Sequence, residues 1–245
     1  MNYDIHRYDS IDSTNIEALK EARLGAEEGL TVIAREQTAG RGRQGRTWWS
    51  IKDAGLYLSI VLRPEMNAEF LTLIPLAAAV AVYDSLADAG LQLDIKWPND
   101  ILVGEKKVCG ILAETAETAN GLAVVVGIGI NLSPQNMTFA PEATSLADHS
   151  LTLTAGEAAD RLLEHFDRYY SKLNSDPRSI VDDWKARSSY FMGKQVSVTL
   201  FDQTLFGTTD GLEPNGALRV KLADGSTIAV HAGDVERVRA SANAI

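Results

Sequence analysis

The chain has 245 residues, of which 45% are hydrophobic and 23% are charged, as in a folded globular protein with one large core or a large and a small domain. Its formal net charge of −10 argues against general binding of nucleic acid or of an anionic membrane surface. The one cysteine, Cys109, excludes a disulfide framework and a cysteine-based zinc site. We expect no structural metal, because the four histidines lack metal-ligand spacing.

The N-terminal sequence has no charged-then-apolar pattern of a signal peptide. The longest apolar run, residues 70–83, is shorter than the roughly 20 residues that a bilayer-spanning helix needs. We therefore expect a buried helix there, no membrane association and a cytoplasmic protein.

Helical and strand patterns both occur over the first 190 residues, and we expect an α+β fold with a mixed sheet flanked by helices. Thr14 and Glu17 have the spacing of a capping box at the start of a first helix. Strands are predicted at 30–34, 55–62, 93–97, 101–103, 107–114 and 123–132. Further helices are predicted at 68–89, from Thr154 to about 173, and from about 177 to 188.

The pattern changes near residue 190. From there to residue 239 only short strands occur, separated by turn signals such as Pro214-Asn215-Gly216 and Asp224-Gly225. This rhythm is typical of a small β-barrel. We predict a large domain over residues 1–190 and a small barrel domain over 191–245.

The densest chemical signal is the arginine loop, residues 40–48, which read GRGRQGRTW. Its glycines allow close approach of backbone to a ligand, and the guanidinium groups of Arg41, Arg43 and Arg46 suit phosphate or carboxylate. A solvated basic loop is the plain alternative. A P-loop is disfavoured, because Arg46 occupies the lysine position and the continuation reads as loop and strand.

Two further motifs follow the loop. Residues 96–100, KWPND, bring a cation, an aromatic ring, an amide and a carboxylate to a strand end, although they also fit an ordinary turn. Asn99 could pair with a nucleobase or ribose, and Asp100 could contact Mg²⁺ or orient an attacking amine. Of the pair Lys106 and Lys107, alternation directs one towards the site, and we expect Lys106 at the surface.

Covalent catalysis finds little support in the sequence. Cys109 has no neighbouring histidine and reads as a small core residue, and no Ser-His-Asp arrangement is evident. Gly127 and Gly129 lack the third glycine of a dinucleotide fingerprint and instead allow close packing or ligand approach. The candidate site residues are instead cations, glycines, an amide and a carboxylate. Such residues suit catalysis that positions the substrates and stabilises charge, as in attack on a phosphoryl group.

The ordered motifs GRGRQGRTW, KWPND, KVCGILAE at 107–114 and GIGINL at 127–132, with DSTN at 12–15 and Gln37, resemble the bacterial biotin protein ligases. The resemblance implies a class II synthetase-like sheet flanked by helices, with a C-terminal SH3-like barrel. It also implies ligation of biotin to a lysine of the biotin carboxyl carrier protein, through biotinyl-5′-AMP formed from biotin and MgATP, with no tightly bound cofactor.

The resemblance also assigns roles to residues. Catalysis would rest on Arg43, Lys107 and Arg41. Biotin would meet Ser13, Thr14, Asn15, Gln37, Gly40, Arg41, Gly42, Arg43, Lys107, Gly110 and Gly127. ATP and the adenylate would meet Arg43, Arg46, Trp48, Asn99, Asp100, Lys107 and Asn131, with Asp100 the candidate Mg²⁺ contact.

Two alternatives stay open on the sequence. A lipoate–protein ligase has a similar architecture but would carry a different arginine-glycine loop, and a non-catalytic biotin sensor would not need to place a phosphate. Some members of the resembled family carry an N-terminal DNA-binding domain, which we do not expect here, since the DSTN motif lies close to residue 1. An exposed sheet edge would allow a homodimer, although no sequence feature requires one.

Overall fold

The computed structural model describes residues 1–134, 142–200, 203–231 and 234–237. Two β-sheets and four α-helices make up this part of the chain. In chain order the first elements are β1 (Asp4–Tyr8), α1 (Thr14–Arg23), β2 (Leu30–Ala34), β3 (Gly55–Leu62), α2 (Ile74–Ala87), β4 (Asp94–Lys96), β5 (Asp100–Val103), β6 (Lys106–Thr118) and β7 (Gly121–Asn131). They are followed by α3 (Ala155–Ser175), α4 (Ser179–Lys185), β8 (Met192–Leu200), β9 (Gln203–Leu212), β10 (Leu218–Leu222), β11 (Thr227–Val230) and β12 (Asp234–Arg237).

The larger sheet has seven strands in the order β1-β2-β3-β7-β6-β5-β4. Strands β1 and β2 are parallel, and every other neighbouring pair is antiparallel, so the predicted mixed sheet flanked by helices is confirmed. The hairpin between β5 and β6 turns at Gly104, whose positive φ of 61° suits glycine. Strand β1 was not predicted from the sequence.

The two faces of the large sheet pack against different helices. Even-numbered residues of β3 and β7, such as Leu58 and Ile128, pack with α2 and α3 in the main hydrophobic core. Odd-numbered residues face the other way, where Val61 and Val125 pack under α1 in a smaller core. Beyond α1 the same odd-numbered face continues through Gly127 and leaves room for a site.

Helix α2 is the most apolar element. Residues 68–73 form a 3₁₀ turn before it, and Pro75 stands in its first turn, so the predicted single helix begins later than expected. Among the described residues, one helical stretch, Ala68–Ala87, is long and apolar enough to span a membrane, and 61% of its most apolar part is buried inside the protein. A core helix has the same composition, so this finding is weak evidence for a span.

Two segments have the spacing of a capping box, but only one of them forms it. Thr154 and Glu157 form a complete capping box at the start of α3, with Glu157 N donating to Thr154 Oγ1 at 3.2 Å and Thr154 N donating to the Glu157 carboxylate at 2.8 Å. The capping box predicted for Thr14 and Glu17 is wrong. Ser13 is the N-cap of α1, and Thr14 is used in tertiary hydrogen bonds described below.

The C-terminal strands form a five-stranded antiparallel sheet in the order β11-β10-β9-β8-β12. Its antiparallel strands were expected, but edge strands β11 and β12 are not paired with each other in the described residues, so the closed barrel is not seen. Trp97 Nε1 donates to Gly216 O at 2.9 Å and ties this sheet to the end of β4. The division of the chain at residue 190 stays a prediction.

Candidate active site

Glycines on β6 and β7 make a flat floor on the face of the large sheet that α1 leaves open. Gly110 and Gly129 are direct partners across the two strands. A Cβ at Gly129 would lie 2.5 Å from Trp48 Cε2, and one at Gly110 would lie 2.8 Å from Trp48 Cζ3. The indole ring therefore lies directly on the backbone, and no larger residue fits beneath it. Its buried Nε1 has no hydrogen-bond partner among the described residues.

A buried polar pocket adjoins this floor where α1 begins. Gln37 Oε1 accepts hydrogen bonds from Thr14 N at 2.7 Å and Thr14 Oγ1 at 3.0 Å. Ser59 Oγ lies 2.7 Å from Thr14 Oγ1 and 2.6 Å from Asn15 Oδ1. On the other side Gln37 Nε2 donates to Ser50 Oγ at 2.7 Å. These side chains hold one another in fixed orientations, as a preformed polar binding pocket requires.

Gly127 completes the pocket. A Cβ there would lie 2.0 Å from Asn15 Oδ1, so only glycine lets the amide approach the strand this closely. The N-cap Ser13 is also buried beside the pocket, and its carbonyl accepts the hydrogen bond of Glu17 N at 3.1 Å. Five of the residues that the resemblance assigned to biotin thus lie at one place: Ser13, Thr14, Asn15, Gln37 and Gly127.

The arginine loop closes on its own backbone. Trp48 N donates to Gly40 O at 2.9 Å, and Gly42 N donates to Arg46 O at 2.7 Å. At its tip Gln44 and Gly45 have positive φ values of 55° and 73°. A Cβ at Gly40 would lie 2.3 Å from Trp48 O, which explains the glycine at the base of the loop.

The three arginines of the loop point to different neighbours. Arg41 Nη2 lies 2.9 Å from Glu114 Oε1. Arg43 Nη1 donates to Asn99 Oδ1 at 3.4 Å, and Asn99 Nδ2 donates to the backbone of β6 at Ile111. Arg46 is exposed, with its Nε 3.4 Å from Arg43 O. Arg41 and Arg43 therefore reach the floor from the loop, and Arg46 stays at its rim.

Lys107 stands at the centre of the floor. Its Nζ lies 2.6 Å from Asp100 Oδ1 and 5.3 Å from the Trp48 ring centroid. Its backbone is fixed on the other side, since Lys107 N donates to Glu142 O at 2.7 Å and Thr144 N donates to Lys107 O at 2.9 Å. Lys106 is exposed, as the sequence predicted.

The nucleotide-side residue Asn131 lies farther along the floor strand. It is buried, on the same face of β7 as Gly129, and its Nδ2 donates to Thr144 O at 2.9 Å. Beside Arg43 and Asn99 a cavity of about 160 Å³ extends to Asn215, in the turn between β9 and β10. The predicted nucleotide residues are thus spread from the loop to the end of β7.

The part of the site that the structure describes contains neither a metal cluster nor a reactive cysteine. Within the described ranges no group of three or more His, Cys, Asp or Glu side chains could hold a metal ion. Asp100, the candidate Mg²⁺ contact, is paired with Lys107. Complete burial raises the pKa of the Cys109 thiol far above its usual range, so the thiolate nucleophile is disfavoured, in keeping with a core residue.

Sequence reasoning missed Glu114 and Ser59. Both carried a readable signal: Glu114 lies on the same face of β6 as Gly110, and Ser59 is a polar residue within an otherwise apolar strand. Ser50 was likewise missed, and nothing in its local sequence indicates its contact with Gln37.

Comparison with known proteins identifies the family. Residues 8–131 match the biotin/lipoate A/B protein ligase family, and residues 191–238 match the C-terminal domain of biotin protein ligases. The chain therefore belongs to the biotin/lipoate A/B protein ligase family.

Several of the similar proteins are biotin ligases. A biotin–[acetyl-CoA-carboxylase] ligase of Mycobacterium tuberculosis is 35% identical over 236 residues, covering 93% of this chain and 86% of that protein. A bifunctional ligase/repressor of Bacillus spizizenii is 35% identical over 237 residues, covering 93% of this chain and 72% of that protein. The biotin protein ligase of Aquifex aeolicus in complex with biotin and ATP is 25% identical, with a TM-score of 0.83 over 96% of this chain and 99% of that one.

Proposed function

We propose that this protein forms biotinyl-5′-AMP from biotin and MgATP and then transfers biotin to a specific lysine of a biotin carboxyl carrier domain. Family, relatives and solved neighbours support biotin–protein ligation. The observation that carries the residue assignments is the convergence of three features on one sheet face: the polar pocket, the arginine loop and Lys107 on its glycine floor.

The polar pocket suits the ureido ring of biotin. Thr14, Asn15 and Gln37 offer both donors and acceptors, and all three are held in place by neighbours. A ureido group has one carbonyl acceptor and two N–H donors, so it can exchange partners with these side chains without leaving a polar group unsatisfied. Ser13, Gly127 and Gly110 would shape the same pocket.

The cations suit the first chemical step. A biotin carboxylate oxygen attacks the α-phosphorus of ATP, a new P–O bond forms, and pyrophosphate leaves with the electrons of the broken bond. Negative charge grows on the phosphoryl oxygens, where Arg43 and Lys107 would stabilise it, while Arg41 and Gly42 would hold the carboxylate side. In a water-excluded site this attraction is far stronger than in bulk water.

The nucleotide would lie along the floor towards the end of β7. Trp48 would flank the adenylate, and its Nε1, which has no partner among the described residues, would donate to a ligand acceptor. Asn99, Arg46 and Asn131 would contact phosphates and base. Asp100 would contact the Mg²⁺ of MgATP, which would neutralise charge on the ATP phosphates.

In the second step biotinyl-5′-AMP, a mixed anhydride of biotin and AMP, donates its biotinyl group. The neutral amine of the carrier lysine attacks the biotinyl carbonyl carbon, an amide bond forms, AMP leaves and the amine loses a proton. No nucleophile of the enzyme is needed, which agrees with the inert Cys109. A cytoplasmic location, the lack of nucleic-acid binding and a homodimer stay predictions.

The test of the ligase reaction is biotin-dependent release of pyrophosphate from ATP by the purified protein. We expect release with biotin and none with lipoate. Release with lipoate alone would point to a lipoate ligase, and binding of biotin without any release would point to a non-catalytic sensor. Omission of Mg²⁺ tests the metal requirement, and activity that survives chelation would contradict it.

A further inference from the structure

One carboxylate joins the arginine loop to the polar pocket. Glu114 Oε1 lies 2.9 Å from Arg41 Nη2, and Glu114 Oε2 accepts a hydrogen bond from Asn15 Nδ2 at 2.9 Å. The side chain of Glu114 is only 21% exposed, whereas that of Arg41 is 45% exposed. Glu114 belongs to β6, so both of its partners are attached to a strand of the large sheet.

The carboxylate fixes the orientation of the Asn15 amide. A carboxylate only accepts hydrogen bonds, so it selects the Nδ2 end of the amide, which also donates to Leu112 O at 3.2 Å. The Oδ1 end is thereby directed to Ser59 and to the space above Gly127. The pocket thus presents a defined pattern of donors and acceptors.

The same carboxylate anchors the loop. The backbone hydrogen bonds of the loop that join Gly40 to Trp48 and Gly42 to Arg46 are internal to it and do not attach it to the sheet. Arg41 of the loop reaches Glu114 of β6, with Nη2 2.9 Å from Oε1. A charge-assisted contact at this distance is stronger than one between neutral groups.

We propose that Glu114 is a positioning residue that couples occupation of the polar pocket to closure of the arginine loop. It acts through Asn15 and Arg41 and does not touch the reacting atoms. This inference rests on the proposed function, because closure over biotinyl-AMP is the event that it serves.

Glu114→Gln tests the coupling with minimal change of shape. Arg41 and Asn15 contact different oxygens of the Glu114 carboxylate, and glutamine replaces one of these oxygens by an NH₂ group that would face one of the two donors. Glu117→Gln is the matched control, because Glu117 is an exposed glutamate of the same strand. Circular dichroism and thermal unfolding of each variant establish that it is folded.

The measurement is the dissociation rate of biotinyl-AMP, formed on the enzyme from biotin and ATP, together with the affinity for biotin alone. For Glu114→Gln we expect about threefold to tenfold faster release of biotinyl-AMP, since the lost contact is charge-assisted but partly exposed. Glu117→Gln should change it by less than about twofold. In an Arg41→Gln background, Glu114→Gln should add much less to the release rate, because its partner is already gone.

The outcomes separate the two proposals. A parent enzyme without biotin-dependent pyrophosphate release would contradict the proposed function, and this inference with it. A fully active parent with unchanged release from Glu114→Gln, or with strictly additive effects in the Arg41→Gln background, would overturn only the role of Glu114. Slower release from Glu114→Gln would show that the carboxylate competes with the ligand for Arg41, which also overturns it.

Discussion

Replacing Gly129 by alanine should damage the nucleotide half of the site while leaving the biotin half nearly intact. The added Cβ would lie 2.5 Å from Trp48 Cε2, 2.6 Å from Nε1 and 2.8 Å from Cζ2. Favourable carbon contacts begin near 3.5 Å, so the indole must retreat by about 1 Å. Because the ring is rigid and is held at its backbone by Gly40, it cannot escape by a small rotation.

A misplacement of about 1 Å can lower a rate roughly a hundredfold. We expect Gly129→Ala to raise the KM for ATP and lower pyrophosphate release by about tenfold to a hundredfold, with the affinity for biotin changed by less than about threefold. Gly127→Ala should instead weaken the affinity for biotin and leave the KM for ATP nearly unchanged, because its Cβ would lie 2.0 Å from Asn15 Oδ1 in the polar pocket.

Pyrophosphate release at varied ATP and calorimetric binding of biotin measure both quantities. Gly156→Ala is the control for a glycine substitution, because a Cβ there meets nothing closer than 3.9 Å, and in helix α3 it should stabilise the fold by about 0.5–1 kcal/mol. Parent-like kinetics of Gly129→Ala, or an equal loss of biotin and ATP affinity, would refute the division of the floor into two halves.

Three further results are expected. Lys107→Ala should lower pyrophosphate release by about tenfold to a hundredfold, since a charge-assisted hydrogen bond to the phosphoryl oxygens is lost; Lys106→Ala is the exposed control, and loss only in that variant would assign the role to the wrong lysine. Arg43→Gly should release biotinyl-AMP roughly tenfold faster and label bystander proteins; unlabelled bystanders and unchanged release would transfer the closing role to another loop arginine. Because burial raises the pKa of Cys109 above its usual range, the thiol stays protonated, and iodoacetamide at pH 8 should leave the native protein unmodified, as intact mass would reveal.

The sequence predicted most of the large sheet because its strands are apolar and bounded by turn residues. Strand β3 is buried at every position, and its residues alternate between two packed faces, so periodicity located it well. Strand β1 was missed, because DIHRY is short and polar and depends on its parallel partner β2 for its conformation.

The contacts of the site join residues that are distant in the sequence, so they were harder to predict from the sequence. Thr14 has the local spacing of a capping residue, yet Gln37 captures its hydroxyl and its N–H. The Lys107–Asp100 pair depends on the register of β5 and β6, which shifts between Ile101 and Leu102. Local propensity contains no information on such register shifts or on tertiary competition for a hydrogen bond.

The complete ligase reaction is tested by the intact mass of a purified biotin carboxyl carrier domain after incubation with this protein, biotin and MgATP. We expect a gain of one biotin less one water, on a single lysine, that disappears when ATP is withheld and that lipoate cannot replace. An unchanged carrier mass under conditions where biotin and ATP both bind, or a lipoyl adduct in place of biotin, would contradict it.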